Sequence, residues 1–334
     1  MTKPKVLIFA TGGSIFSSTE SEAEMLSYST EGLTLDEVIS QAPSITNFAD
    51  VETSTFCNVP SSSITTNILV GLARTVEEAS RRKDVTGIVI THGTDTMEET
   101  AFFLNLVLKT SKPIVLTGGM RPASAISADG PINLLNAVKV ASNPEAKGKG
   151  VLIVMNGVIN GARDTTMTNT TSLDTFKARE FGMFGSVLGD EVQFFSESSR
   201  PHTLRSQFSL RDFDTNAQLP RVVILTGHID DDGYLVELCA KAGVAGIVYA
   251  GCGHGTIPLQ MEDVLKKAVN DGCVVVRTSR VGSGCVFDGV QRWQDSGFIP
   301  AGSLSPQKAR ILLQLAIHRF GNDPTTIRAI FKTY

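Results

Sequence analysis

Residues 91–100 read T-H-G-T-D-T-M-E-E-T and follow the run V-T-G-I-V-I at 85–90. The run is apolar and β-branched, with no breaker after Gly87, so it reads as a buried strand. Apolar spacing turns helical over 97–108. The decapeptide is therefore a strand-to-helix turn carrying hydroxyls and, at Asp95, a carboxylate before the helix begins. In open α/β sheets such turns lie at the carboxyl ends of strands, where ligands bind, and Thr94, Asp95 and Thr96 are expected to face that cleft. Taken alone, T-x-x-E reads first as a helix cap, and the choice rests on what the other strand ends carry.

The strand at 5–10 (K-V-L-I-F-A) ends in Thr11-Gly12-Gly13-Ser14, and the strand at 51–57 ends in N-V-P-S-S-S at 58–63. Further strands are expected at 113–117 and 150–155, with helices at 34–42, 64–82 and 134–141. Thr34 and Glu37 form a capping box. Alternation of strand and helix predicts a mostly parallel, doubly wound α/β domain over 1–195. Residues 162–171, rich in Thr, suggest a hairpin arm. Periodicity fades over 196–220, which reads as a linker, and resumes in a smaller C-terminal α/β domain over 221–334. Its strands are expected at 221–226, 246–250 and 273–277, its helices at 233–242, 259–270, 306–320 and 324–332. Residues 17–31 read as a surface loop whose one aromatic, Tyr28, is either a lid or a tether.

The chain has 334 residues, 42% hydrophobic and 19% charged, with net charge -4, the profile of a globular protein of about two domains. That balance gives no electrostatic reason to expect nucleic acid or an anionic membrane as partner, and no stretch approaches the about 20 apolar residues of a membrane span. A small neutral or zwitterionic ligand fits better. The five cysteines form no C-x-x-C pair and read as mostly buried thiols of a reducing compartment, with Cys252 the exception to watch. Before the Gly pair, V-L-I-F-A is too short for a signal-peptide core, so cytoplasm is the expected location. The five histidines show no metal-ligand spacing, and no Walker or dinucleotide fingerprint is present, so neither metal nor cofactor is expected. What remains is a site of hydroxyls, Asp95 and glycine-turn amides, parts that suit acyl transfer and amide hydrolysis in particular.

Several segments together carry a resemblance. They are A-T-G-G-S-I at 10–15, I-T-H-G-T-D-T-M-E-E-T-A at 90–101, M-R-P at 120–122 with S-A-D-G-P-I-N-L at 127–134, R-D-T-T-M-T-N-T-T at 163–171, S-R-V-G-S-G at 279–284 and S-P-Q-K-A-R-I-L-L-Q-L-A at 305–316. Over almost its whole length the sequence resembles the bacterial-type L-asparaginases and glutaminase-asparaginases. The resemblance implies homotetramers built as dimers of intimate dimers, with active sites at the junction of neighbouring subunits. Position by position it implies a nucleophile at Ser14, where the family has threonine, and a second catalytic hydroxyl at Thr94. Asp95 falls on the carboxylate that grips the substrate ammonium, Tyr28 on the lid tyrosine and Ser61 on the serine holding the α-carboxylate.

Other positions depart from the pattern. The family's lysine is replaced by Met167, which carries no charge and shuttles no proton; losing such a partner typically removes on the order of 10²- to 10⁴-fold in rate. Ser62 stands where glutamine or glutamate helps bind substrate, and His254 where the neighbouring subunit contributes asparagine, leaving His254 open as an alternative base. Of the acidic residue some members add, only Asp288 is close. Two expectations follow: an amidohydrolase acting on a small amide, with altered substrate or weak asparagine hydrolysis, or a catalytically inactive small-molecule-binding or regulatory paralogue.

Overall fold

The computed structural model describes residues 2–19, 21–23, 32–214 and 218–334. The chain forms two compact units, Met1–Leu210 and Arg211–Tyr334. In the first, the described residues form ten strands: β1 (Lys5–Ala10), β2 (Asp50–Thr55), β3 (Val85–Thr91), β4 (Ile114–Thr117), β5 (Val151–Met155), β6 (Val158–Gly161), β7 (Thr166–Met167), β8 (Phe176–Lys177), β9 (Gly185–Leu188) and β10 (Glu191–Phe194). Eight of them make one sheet in the order β10-β9-β6-β5-β4-β3-β1-β2. Strands β2, β1, β3, β4 and β5 run parallel, as expected, and β6, β9 and β10 extend the sheet antiparallel. The remaining pair, β7 and β8, joins Met167 to Phe176 in a short antiparallel hairpin.

Among the described residues five α-helices accompany this sheet: α1 (Leu35–Ser40), α2 (Ile45–Phe48), α3 (Thr66–Arg81), α4 (Met97–Val107) and α5 (Gly130–Ser142). Alternation along the strands decides which face each residue serves. Val6, Ile8, Ala10, Val89 and Val115 share a buried cluster with Leu35 and Val38 of α1, Ile45 of α2 and Leu134, Ala137 and Val138 of α5. Leu7, Phe9, Ile88 and Ile90, at the intervening positions, are also buried, so both faces of the sheet are covered at its central strands β1 and β3. Helix α1 opens on the reciprocal Thr34–Glu37 capping box. Helix α5 starts earlier than its apolar period shows, because Pro131 occupies its first turn, where a missing N–H costs nothing.

Within the polar stretch 196–210, Phe208 and His202 are buried, and the Lys109 ammonium donates to the carbonyls of Thr203 at 3.0 Å and Ser206 at 2.5 Å.

The second unit contains β11 (Val222–Thr226), β12 (Gly246–Gly251), β13 (Val274–Ser279) and β14 (Ile299–Pro300), all parallel in that order. Helices α6 (Tyr234–Lys241), α7 (Leu259–Asn270), α8 (Gln291–Asp295), α9 (Pro306–Phe320) and α10 (Pro324–Thr333) complete it. Among the described residues, no helix is long and apolar enough to cross a membrane.

Candidate active site

Four turns gather at the carboxyl ends of β1, β2, β3 and β4, and they are held together mainly by main chain. Gly12 and Gly13 have φ of 110° and 102°, a region open only to glycine. A Cβ on Gly12 would lie 2.5 Å from the Val59 carbonyl oxygen, and one on Gly13 would lie 2.6 Å from the Cα of Gly93. The turn after β1 thus rests directly on the backbones of the turns after β2 and β3. Thr11 reinforces the contact: its N–H and hydroxyl both donate to the Thr91 carbonyl, at 3.1 and 2.9 Å, while its own carbonyl accepts from Val59 N–H at 3.1 Å. Cys57 also leans on that carbonyl at 3.4 Å, and burial pushes its thiol up, away from the thiolate form.

Ser14 opens the short 3₁₀ turn Ser14–Phe16 and is buried. Its hydroxyl donates to the carbonyl of Gly119 in the turn after β4. Ser61 opens a similar turn, Ser61–Ser63, after Pro60, and is buried, whereas Ser62 is exposed. A Cβ on Gly93 would reach within 2.8 Å of Ser61 Oγ, so the third turn presses on this serine.

The turn after β3 is the decapeptide's own. Thr96 sits at the cap position of α4, yet its side chain makes no capping bond; the hydroxyl donates to the Ser61 carbonyl at 2.8 Å. Capping therefore does not account for this motif. Thr94 is half-buried and Asp95 exposed, and among the described residues neither side chain has a hydrogen-bond or ion-pair partner. His92 is fully buried and neutral: burial pushes its imidazole down to about 4. Its Nδ1 faces the Gly93 carbonyl at 2.7 Å, and a carbonyl only accepts, so Nδ1 carries the hydrogen and Nε2 accepts from the Thr100 hydroxyl at 2.8 Å. His92 is thus a strut under the turn.

Met167 is half-buried in β7, and its N–H donates to Glu98 Oε2 at 3.1 Å, which places it beside the first turn of α4. Tyr28 lies outside the described residues. In the second unit His254 is exposed within the turn closed by the Cys252–Thr256 bridge. Its Nε2 accepts from Phe287 N–H at 3.2 Å, and the buried Arg277 guanidinium donates to the His254 and Gly255 carbonyls at 2.9 and 3.1 Å. Asp288 pairs with Arg328 at 2.8 Å. Among the described residues no three His, Cys, Asp or Glu side chains are placed to share a metal ion.

Sequence reasoning did not assign Gly119, Asp129, Asn133 or Glu98 to the site. Asp129 and Asn133 stand in the quoted S-A-D-G-P-I-N-L segment, but main-chain acceptors such as the Gly119 carbonyl leave no mark in residue type.

The chain is similar to known proteins over nearly its whole length. Residues 5–200 match the family described as Asparaginase, N-terminal, and residues 221–331 match the Glutaminase/Asparaginase C-terminal domain. L-asparaginase 2 of Bacillus subtilis is 44% identical over 99% of this chain and 87% of its own length. Glutaminase-asparaginase of Acinetobacter glutaminasificans is 40% identical over 99% of this chain and all of its own. The crystal structure of a probable cytoplasmic L-asparaginase from Campylobacter jejuni superposes with a TM-score of 0.93 at 38% identity, covering 99% of this chain and 100% of that one. With both domain families matched in order and relatives of this identity over nearly the full length, the chain belongs to the asparaginase and glutaminase-asparaginase family of amidohydrolases.

Proposed function

We propose that the chain hydrolyses the amide of a small zwitterionic carboxamide through an ester on Ser14, and that free asparagine is a poor substrate. The observation that carries this reading is the clustering of the buried Ser14 hydroxyl with Ser61 and the Thr94–Asp95 turn on one glycine-locked frame. Ser14 Oγ attacks the amide carbon, the C–N bond breaks, and ammonia leaves with the serine proton; water then cleaves the ester to the acid and restores the hydroxyl. Thr94 is the hydroxyl next to the reacting centre, Asp95 holds the substrate ammonium, Ser61 holds its carboxylate, and Ser62 is a further substrate contact. Tyr28 closes over the site. No charged side chain stands at Met167 to assist proton transfer, which supports weak asparagine turnover. His254 is assigned to substrate contact rather than to the base, since its Nε2 already accepts a main-chain N–H.

Ammonia release from a panel of linear amides, with Ser14→Ala as control, tests the reading; equal background from both proteins overturns it. Met167 also favours a second reading, a binder without turnover. In that case calorimetry shows ligand binding that survives Ser14→Ala, with no product formed. A homotetramer of two intimate dimers and a cytoplasmic location complete the proposal, the latter supported by the description of the Campylobacter relative.

A further inference from the structure

Serine, unlike threonine, has no branch at Cβ to restrict χ1, so a buried serine hydroxyl points wherever its best acceptor lies. For Ser14 that acceptor is the Gly119 carbonyl, 105 residues away in sequence. The peptide that owns this carbonyl also owns the N–H of Met120, and a planar peptide directs the two groups oppositely. Met120 N–H donates to Asp129 Oδ2 at 3.0 Å, and the next N–H, of Arg121, donates to Oδ1 of the same carboxylate at 2.9 Å. On the other flank Asn133 Nδ2 donates to the Gly118 carbonyl at 3.0 Å and to Asp129 Oδ2 at 2.9 Å, while its Oδ1 accepts from Asn156 N–H at 2.9 Å. Both side chains are buried, Asn133 at 1% and Asp129 at 9% exposure. Asp129 precedes α5 but makes no capping bond to it, so its oxygens serve the turn instead.

We propose that Asp129, supported by Asn133, is a positioning residue for Ser14: by fixing the 119–120 peptide it aims the carbonyl that sets the orientation of the Ser14 hydroxyl. A carboxylate accepting from one end of a peptide also polarises the carbonyl at the other end, strengthening its hold. The inference rests on Ser14 being the nucleophile and goes beyond that assignment in naming what orients it.

The test is a double-mutant cycle between Asp129→Asn and Ser14→Thr. An amide has one acceptor oxygen and turns a donor toward the turn's N–H groups, so the peptide loses its anchor. In the Ser14 background Asp129→Asn is expected to lower kcat about 10- to 100-fold with KM changed less than about threefold. In the Ser14→Thr background, where a methyl restricts χ1, the same change is expected to cost less than about threefold. Equal losses in both backgrounds mean a structural role only and overturn the proposal. Acylation by p-nitrophenyl acetate reads Ser14 without an amide substrate. Wild type that acylates yet releases no ammonia from any amide sinks the hydrolase reading, while the cycle, read on acylation, still decides this one. If Asp129→Asn does not fold, Asn133→Ala replaces it in the cycle with the same expected pattern. A crystal structure of either variant with the Ser14 hydroxyl still on the Gly119 carbonyl also overturns the proposal.

Discussion

The main-chain N–H of Met167 donates to the buried carboxylate of Glu98 at 3.1 Å, so an uncharged thioether is pinned beside the helix turn that follows Thr94 and Asp95. The bond uses the backbone of Met167 and leaves its side chain exchangeable. Met167→Lys is expected to raise asparagine hydrolysis by on the order of 10²- to 10⁴-fold, measured as ammonia release at saturating substrate. An unchanged rate would mean that Met167 does not limit the reaction and would point instead to the substrate contacts proposed for Ser62 and His254.

Gly13 and Gly148 both have positive φ, but only Gly13 is crowded: its Cβ would meet Gly93 at 2.6 Å, whereas nothing lies within 4 Å of one on Gly148. Gly13→Ala is expected to cost about 3 kcal/mol or more and abolish activity, and Gly148→Ala about 1 kcal/mol with activity kept. Denaturant titrations of the two variants check this; equal costs would refute the interlocking of the turns.

Thr91 Oγ1 is buried without a hydrogen-bond partner among the described residues. Thr91→Val keeps the shape and removes the orphaned hydroxyl, so it is expected to be neutral or to stabilise by about 1 kcal/mol in a thermal or urea unfolding series. A loss of 2 kcal/mol or more would contradict the absence of a partner.

His92 supplies a pH dependence. Its native imidazole titrates at about 4, below the ordinary 6.5, so above 6.5 both native and unfolded states are neutral and stability is full. As pH falls from 6.5 to 4 the unfolded chain takes a proton that the native state refuses, and stability declines by about 3 kcal/mol in total before levelling. His92→Gln is expected to flatten the slope of unfolding free energy between pH 4 and 6.5 relative to wild type; parallel curves would show that other groups cause the acid sensitivity.

Much of the parallel sheet was legible because most of its strands are short apolar, β-branched runs, as at 85–90, followed by a helical period. The antiparallel extension was not, although M-N-G-V at 155–158 carries a hairpin signal: Asn156 and Gly157 have φ of 52° and 74°, as a two-residue hairpin loop requires. Strands β9 and β10 are four residues each and half exposed, too short for a period to show. At the site, hydroxyls at strand ends pointed to Ser14, Ser61 and Thr94, and the fold brings those turns together. The partner of Ser14 escaped notice because it is a carbonyl, present at every residue, and only the fold selects which one it meets.

The frame of glycine backbones pressed on one another has a bearing on ancestry and on engineering. Its glycines meet main chain to main chain, and neither residue 62 nor residue 167 is one of them, so exchanging either is expected to leave the frame in place. Under the proposed function, substrate preference is then open to change one substitution at a time on a constant scaffold, and a designer seeking a new amide substrate has these positions to vary and these glycines to leave alone.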